Sequence, residues 1–225
     1  THMENVKIIE LKQSVFEDND NKADLLRKEL KKKKTFLLNV MSSPGSGKTT
    51  NLTALINAIK KDYKIGVMEA DIDGDIDASD IIKNTGVKAI QLHTGGMCHL
   101  DAYMTEDGLK GIENEHFDLI FLENVGNLVC PAEFDTGSSK NLVILSVPEG
   151  DDKALKYPLM FEKADVVIIN KIDVKDYFDF DFKLCEEYIR MRNKNCEIIK
   201  ISAKTKEGLD SLINWLKLAI EEWKE

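Results

Sequence analysis

The sequence predicts an α/β fold, a doubly wound and mostly parallel sheet with helices on both faces. Three observations support this prediction. From residue 35 onward, apolar runs of strand length alternate with segments of helical periodicity, which is the pattern of successive βα units. Residues 117–123 are nearly all apolar, as expected of a central parallel strand that is buried on both faces. A glycine-rich turn joins the first strand of this alternation to its first helix.

The N-terminal segment differs from the rest of the chain because it is polar and helix-prone. Its first three residues, THM, are typical of a cleavage and cloning remnant. We interpret residues 4–34 as a solvated helical segment outside the domain, which spans residues 35–225. The lysines of residues 31–34 suit the negative end of a helix dipole. The alternative, that these lysines form a phosphate- or partner-binding patch, stays open.

The elements of the domain are predicted from apolar runs for strands and from apolar spacing of three and four residues for helices. The strands fall at residues 35–41, 65–70, 87–92, 117–123, 142–147, 165–170 and 197–201. The helices fall at residues 51–59, 78–83, 100–114, 153–161, 182–191 and 209–223. No internal repeat or second domain is recognisable, so one sheet is expected to carry the sites of the chain.

Composition and charge narrow the classes of partner. The net charge of −9 argues against nucleic acid, because phosphate backbones attract basic surfaces. The sequence contains no secretory hydrophobic region and no apolar run long enough to cross a bilayer. Its four cysteines do not suggest a disulfide scaffold and fit a reducing compartment. These features predict a cytoplasmic protein with neither a nucleic-acid nor a membrane partner.

The glycine-rich turn reads SSPGSGKTT at residues 42–50. A strand, this turn and a helix form the context of a P-loop, in which backbone N–H groups and the helix N-terminus bind phosphates. Lys48 is expected to reach the β- and γ-phosphates, and the Thr49 hydroxyl to ligate Mg²⁺. Ser42 stands where the motif has its first glycine. The residues predicted to bind the nucleotide here are Gly45, Ser46, Gly47, Lys48, Thr49 and Thr50.

Two further motifs end strands downstream of the P-loop. Residues 170–173 read NKID, and residues 202–204 read SAK. In P-loop GTPases such motifs form the guanine pocket, and doubly wound sheets bind ligands at the carboxyl ends of their strands. A carboxylate at Asp173 can accept hydrogen bonds from the N1–H and 2-amino groups of guanine, which adenine lacks. The residues predicted for GTP or GDP in this pocket are Asn170, Lys171, Asp173, Ser202, Ala203 and Lys204.

The segment after the fourth strand, residues 123–126, reads ENVG in place of the D-x-x-G of many GTPases. We expect Glu123 to place a carboxylate near Mg²⁺ and the Gly126 N–H to sense the γ-phosphate. No glutamine follows Gly126 to orient a water molecule. With Lys48 and Thr49, Glu123 is therefore predicted to support only slow GTP hydrolysis, on the order of 10⁻⁴ to 10⁻² s⁻¹.

Few arginines could stabilise the transition state of phosphoryl transfer. Arg27 is expected to lie outside the domain, and Arg190 and Arg192 near the last strand. An arginine finger from within the fold is therefore not expected, which agrees with a slow rate.

A second set of residues could bind a metal ion. Cys98 and His99 follow a glycine-bearing loop at the predicted start of a helix, and Cys130 follows the ENVG segment. Thiols and imidazole suit Zn²⁺ or Ni²⁺, and a helix N-terminus lowers the pKa of a thiol. Three ligands fall short of a closed tetrahedral site, which a twofold dimer could complete. The alternative, that these cysteines only pack, stays open, and Cys185 and Cys196 are interpreted as structural.

Together these motifs resemble a known family. The segments SSPGSGKTT, TGGMCHLDA, ENVGNLVCPAEFD, VPEGDDKALKYP and NKID occur in this order. Over residues 35–205 the chain is similar to the HypB family, the nickel-incorporation GTPases of [NiFe]-hydrogenase maturation. It resembles the urease accessory GTPase UreG more distantly, because the Cys-Pro-His motif of that family is absent.

The resemblance implies a GTP-hydrolysing metallochaperone that dimerises when GTP binds and holds nickel or zinc at the dimer interface. The implied ligands of that ion are Cys98, His99 and Cys130. The resemblance also implies that Asp71 and Asp77 lie near Mg²⁺. Asp71 is therefore included among the expected catalytic residues. Lys153 is implied to approach the guanine across the dimer. The implied partners are the nickel metallochaperone HypA and, indirectly, the hydrogenase large subunit.

Three other interpretations are open at this point. A GTP-regulated protein-binding switch without metal delivery would use Cys98 and Cys130 only for packing. A urease-type nickel GTPase would share the nickel task but serve another enzyme. A small-molecule kinase is disfavoured by the NKID motif and by the lack of arginines that clamp a transferring phosphoryl group.

Overall fold

Seven parallel strands form one sheet in the residues that the computed structural model describes, which are 2–71, 76–112 and 115–225. For residues 2–15, 71, 76 and 77 only the backbone is described. The strands are β1 Phe36–Ser42, β2 Ile65–Asp71, β3 Lys88–His93, β4 Leu119–Glu123, β5 Lys140–Ser146, β6 Val166–Asn170 and β7 Glu197–Lys200. Their order is β3-β2-β4-β1-β5-β6-β7 and every pairing is parallel. The predicted doubly wound α/β fold is confirmed.

Helices precede, connect and follow these strands. They are α1 His2–Lys33, α2 Lys48–Ile59, α3 Ile76–Thr85, α4 Ala102–Ile112, α5 Cys130–Glu133, α6 Lys153–Lys156, α7 Pro158–Glu162, α8 Phe182–Arg192 and α9 Leu209–Lys224. Short 3₁₀ helices occur at Val147–Glu149 and Ile172–Tyr177. None of the helices in the described part of the chain has the length and apolar character to cross a membrane.

Strand β1 shows how the core is layered. All of its residues are buried, which explains its nearly continuous apolar sequence. Phe36 and Leu38 belong to a cluster with residues of α2 and α9. Leu37 belongs to a different cluster, formed with residues of α1 and α4. Helices therefore cover both faces of β1. Strands β2–β4 lie on one side of β1 in the sheet, and β5–β7 lie on the other side. The carboxyl end of β1 is therefore at the position where doubly wound sheets bind ligands.

The N-terminal helix packs on the domain rather than standing in solvent. Ala23, Leu26 and Leu30 of α1 are buried, and the two leucines pack in the cluster that contains β1 and α4 residues. The interpretation of residues 4–34 as a solvated segment is therefore wrong for the part around these three residues. Their spacing makes only a narrow apolar stripe on residues 17–33, which are otherwise mostly charged or polar, and this is why composition alone suggested solvent exposure.

One predicted helix is divided. The helix expected at residues 153–161 appears as α6 and α7, which meet at Tyr157. Pro158 has no N–H to continue the helical hydrogen bonds, and it disfavours helical backbone at the residue before it. The sequence offered this signal, because the proline stands inside the predicted range.

Another helix begins later than predicted. The helix expected at residues 100–114 starts at Ala102, where Asp101 Oδ1 accepts a hydrogen bond of 2.8 Å from the Met104 N–H and so caps the first turn. Cys98 and His99 therefore lie in the loop before α4 and not at the start of a helix.

Candidate nucleotide site and cysteine pair

The P-loop lines a pocket of about 580 Å³ at the carboxyl end of β1. All six residues predicted to bind the nucleotide there line this pocket, and Glu123, Gly126 and Lys171 join them. Ser42, at the position of the first motif glycine, is fully buried and its hydroxyl donates to the Ser43 carbonyl oxygen at 2.9 Å. A small hydroxyl residue therefore fits where the motif usually has glycine.

Gly47 holds the turn against the guanine motif. Its φ is +100°, a left-handed conformation that favours glycine. A Cβ on Gly47 would lie 2.4 Å from Asn170 Nδ2. Asn170 Nδ2 donates to the Ser46 carbonyl oxygen at 2.9 Å, and its Oδ1 accepts from the Ala203 N–H at 3.4 Å. One buried amide thus connects the P-loop to both motifs predicted for the base.

The remaining guanine-motif residues converge on the same edge. Lys171 Nζ donates to the Gly45 carbonyl oxygen at 2.8 Å, so its aliphatic stem lies beside the P-loop. Asp173 Oδ1 accepts from the Ser202 hydroxyl at 2.7 Å, which orients the carboxylate while leaving it exposed to a ligand. Lys204 is exposed on the turn that follows Ser202.

The ENVG segment reaches the P-loop through Gly126. A Cβ on Gly126 would lie 3.2 Å from Pro44 Cγ and 3.3 Å from Lys48 Nζ. Its backbone therefore lies beside the lysine that is expected to bind the β- and γ-phosphates. Asn124 fixes this turn, because its Oδ1 accepts from the Val125 N–H at 2.8 Å and its Nδ2 donates to Asn39 Oδ1 at 3.1 Å.

A buried carboxylate faces the P-loop threonine, and a second one lies beside it on the neighbouring strand. Thr49 Oγ1 lies 3.4 Å from Glu123 Oε1, which is longer than an ordinary O–H···O bond. Glu69 of β2 pairs in register with Glu123 of β4, and the two residues are 1% and 3% exposed. Hydroxyl and carboxylate oxygens are the ligands that Mg²⁺ takes in proteins. These donors fit the ion, whereas the side chains of Asp71 and Asp77 lie outside the described residues.

Lys153 stands apart from this pocket in the single chain. It opens α6, and its Nζ lies 5.7 Å from the centre of the Tyr157 ring. It is not among the residues that line the P-loop pocket. The contact that the resemblance implies is between Lys153 of one subunit and the guanine bound to the other, and it stays a prediction.

The structure brings together two of the three predicted metal ligands. The thiols of Cys98 and Cys130 form a hydrogen bond, which together with burial raises the pKa of Cys130 above its ordinary value. Asn127 Oδ1 accepts from the Val129 and Cys130 N–H groups at 2.7 and 3.0 Å, which fixes the backbone before this thiol.

His99 is held away from solvent by an aromatic contact. It is 7% exposed, and its ring stacks on Phe134 with centroids 3.9 Å apart and planes within 8°. Burial lowers its pKa, which favours the neutral imidazole. Within residues 16–70, 78–112 and 115–225, no group of three or more His, Cys, Asp and Glu side chains could hold a metal ion. One chain thus assembles the predicted ligand set only in part.

Comparison with known proteins decides the family. A family model described as CobW/HypB/UreG, nucleotide-binding domain, matches residues 36–200. The hydrogenase maturation factor HypB of Azotobacter chroococcum mcd 1 is 42% identical over 211 residues, which cover 94% of this chain and 69% of that protein. The chain belongs to the HypB family. The resemblance drawn from the motifs is confirmed.

Other similar proteins extend along the same region of this HypB-family chain. The probable HypB of Methanocaldococcus jannaschii is 36% identical over 219 residues, covering 97% of this chain and 99% of that protein. The crystal structure of HypB from Helicobacter pylori in complex with nickel has a TM-score of 0.86 and 41% identity, covering 91% and 96% of the two chains. HypB from Archaeoglobus fulgidus has a TM-score of 0.83 and 34% identity, covering 90% and 98%.

The arginines of this HypB-family chain are engaged away from the P-loop. Arg27 lies within the fold, not outside it, because its guanidinium binds the Asp135 carboxylate. Arg190 donates to the Cys196 carbonyl oxygen, just before β7, and Arg192 donates to two carbonyl oxygens of α6. Both positions agree with the expectation that these arginines lie near the last strand. None of the three lines the described P-loop pocket.

Sequence reasoning missed Glu69 and the paired amides of Asn39 and Asn124. Glu69 is a carboxylate within an otherwise apolar strand, and a buried charge is costly unless it is paired or binds a ligand. The glutamate within this apolar run could therefore have indicated a ligand-binding carboxylate. Asn39 also interrupts an apolar strand, but its partner Asn124 could be identified only from the pairing of β1 with β4.

Proposed function

We propose that this chain is a GTP-hydrolysing metallochaperone that binds nickel, or zinc, and assists nickel insertion into [NiFe]-hydrogenase. Its dimerisation depends on GTP and is coupled to metal binding. The observation that carries the proposal is one short segment: Gly126 lies beside Lys48, and Cys130 follows four residues later as a free thiol that is hydrogen-bonded to Cys98. Membership of the HypB family and the similarity to a nickel-bound HypB support it.

GTP would lie with its phosphates along the P-loop and its base against Asp173 and Lys171. Mg²⁺, when bound, neutralises charge on the β- and γ-phosphates, and Thr49 and Glu123 are the described side chains that would hold it, with Glu69 beside them. The Gly126 N–H would then detect the γ-phosphate. Hydrolysis is slow because the described pocket contains neither a glutamine nor an arginine that could act on the γ-phosphate.

The metal ion is the cargo of this cycle. Cys98 and Cys130 supply two thiolates from one chain, and a second copy of the chain, bound through GTP, completes the coordination. His99 joins the set if its ring leaves Phe134. Coupling is reciprocal: a GTP state that tightens metal binding must itself be tightened by the metal to the same extent. The ion passes between HypA and the hydrogenase large subunit in the cytoplasm.

The second candidate is a GTP-regulated protein-binding switch without metal delivery. It is favoured by the buried, stacked position of His99, which leaves the described chain without a three-residue metal cluster.

One experiment separates the two candidates. Bound nickel and zinc per chain and molecular mass are measured with GDP and with a nonhydrolysable GTP analogue, for the parent and for Cys98→Ser. Metallochaperone function predicts metal and dimer that appear together with the analogue, and metal that is lost in Cys98→Ser. Cys185→Ala, at a buried cysteine of α8, should retain both. Equal metal binding with GDP and with the analogue, or a dimer indifferent to metal and to Cys98→Ser, would support the switch.

Base specificity gives a separate prediction. Asp173→Asn should weaken GTP affinity about 10- to 100-fold, because an amide cannot accept from both guanine donors and hydrogen bonds to a charged group contribute about 1.5–3 kcal/mol. The same amide can pair with xanthine, so affinity for xanthosine triphosphate should rise. Titration with fluorescent nucleotides measures both. Asp176→Asn, an exposed carboxylate in the same 3₁₀ helix, should bind GTP like the parent. GTP affinity that is unchanged in Asp173→Asn would remove Asp173 from the base pocket.

A further inference from the structure

Helix α1 contacts both of the segments that carry the paired cysteines. Asn19 of α1 is 3% exposed. Its Nδ2 donates to the Asp135 carbonyl oxygen at 3.0 Å, in the segment that follows α5 and Cys130. Its Oδ1 accepts at 2.9 Å from the N–H of Ala102, the first residue of α4, shortly after Cys98. A single buried amide thus bridges the two segments and uses its donor on one and its acceptor on the other.

Arg27, two helical turns along α1, holds the second segment more firmly. Its Nη2 donates to both carboxylate oxygens of Asp135 at 2.6 and 2.8 Å, and its Nε to the Ser138 carbonyl oxygen at 2.9 Å. Gly137 lies directly against the helix, since a Cβ there would be 2.8 Å from Leu26 Cδ2. The backbone after Cys130 is therefore seated on α1.

An aromatic contact links the same three parts. Phe134 stacks with Phe16 of α1, with ring centroids 5.0 Å apart, and also with His99, which is the neighbour of Cys98. Phe16, Asn19 and Arg27 thus each contact a cysteine-bearing segment, and Arg27 also pairs with Asp24 within α1.

The segments have no comparable connection of their own. Among the described residues, no backbone hydrogen bond joins residues 94–101 to residues 127–138. Side-chain contacts between them include the thiol pair, the stack of His99 on Phe134 and the electrostatic interaction of His99 with Glu133. The relative position of the two thiols therefore depends on what each segment is fastened to, and both are fastened to Asn19.

We propose that Asn19 is a positioning residue that sets the distance between Cys98 and Cys130. It touches neither thiol and acts through the backbone at Ala102 and Asp135. Its effect on nickel binding rests on the proposed function, whereas its effect on the distance between the thiols does not. Residues that hydrogen-bond to a metal ligand typically change metal affinity about 10- to 100-fold, and Asn19, one contact further from the thiols, is expected at the lower end of that range.

The test compares Asn19→Ala with Asp18→Ala. Both substitutions place a strong helix former in α1, but Asp18 is exposed and its side chain makes no hydrogen bond or ion pair with the described residues. Two quantities are measured on the full chain: nickel affinity in the presence of the GTP analogue, and the rate at which diamide joins Cys98 to Cys130, identified by peptide mass mapping. GDP affinity verifies the fold. Asn19→Ala should lower nickel affinity and the cross-linking rate each about 10-fold, with GDP affinity unchanged, and Asp18→Ala should match the parent.

The two readouts separate the failure of this inference from failure of the proposed function. A parent that binds no nickel would refute metal delivery. The cross-linking rate would still test whether Asn19 sets the distance between the two thiols. An Asn19→Ala protein that binds GDP normally and cross-links at the parental rate would overturn the inference. If Asn19→Ala does not fold, Asn19→Asp replaces it, because a carboxylate keeps the acceptor for the Ala102 N–H and loses the donor to the Asp135 carbonyl oxygen. Parental cross-linking in Asn19→Asp would then also overturn the inference.

Discussion

Lys48→Ala should lower GTP turnover by at least about 100- to 1,000-fold, the usual cost of removing one group that stabilises developing charge. The Lys48 side chain lies in the P-loop pocket beside Gly126. There it is positioned to neutralise the β- and γ-phosphates and to hold the γ-phosphate where the Gly126 N–H can bind it. The measurement is phosphate release at saturating GTP, for which the parent is expected on the order of 10⁻⁴ to 10⁻² s⁻¹.

Lys61→Ala is the matched control. Lys61 is an exposed lysine just beyond the C-terminal end of α2, at the opposite end of that helix from Lys48. The same charge is removed, so a change in rate that reflects only net charge would appear in both variants. We expect parental turnover in Lys61→Ala. A parental rate in Lys48→Ala would remove this lysine from the mechanism, and several turnovers per second by the parent would contradict the slow switch.

The fold and the nucleotide pocket were largely predictable because their signals are local. A strand, a glycine-rich turn and a helix are read from adjacent residues, and a parallel sheet necessarily brings the carboxyl ends of its strands to one edge. That edge unites the P-loop with Asn170 and with Ala203, which are far apart in sequence but share one amide hydrogen-bond network. The motif positions therefore predicted which segments meet at this edge, whereas guanine binding by Asp173 and its neighbours stays a prediction.

The parts that sequence reasoning missed depend on contacts between distant elements. Glu69 lies beside Glu123 only because β2 pairs with β4 instead of with β1. The sequences of the two strands do not specify this strand order. The sequence of residues 16–30 of α1 predicts a solvated helix. Only the folded structure shows that Leu26 packs against β1 and α4 residues and that Arg27 binds Asp135. His99 has the right chemistry for a metal, but its stacking on Phe134 is decided by the packing of a loop 35 residues away in sequence.

Gly47→Ala is the substitution expected to damage nucleotide binding most through shape alone. A left-handed backbone costs a non-glycine residue about 1–2 kcal/mol, and Gly47 has a φ of +100°. The added Cβ would also lie 2.4 Å from Asn170 Nδ2, which must then give up its bond to the Ser46 carbonyl oxygen at a cost of about 1–3 kcal/mol. The two costs together predict GTP and GDP affinities that are weaker by about 30- to 5,000-fold, measured by titration with fluorescent nucleotides.

Gly86→Ala separates the two causes. Gly86 ends α3 with a φ of +73°, and a Cβ there would meet nothing within 4 Å among the described residues. It shares the backbone strain of Gly47 without the clash and lies outside the P-loop pocket. We expect it to lower the free energy of unfolding by about 1–2 kcal/mol while leaving nucleotide affinity at the parental value. Should Gly47→Ala bind GTP like Gly86→Ala, the Asn170 amide would not be the connection that holds the P-loop and the base motifs as one site.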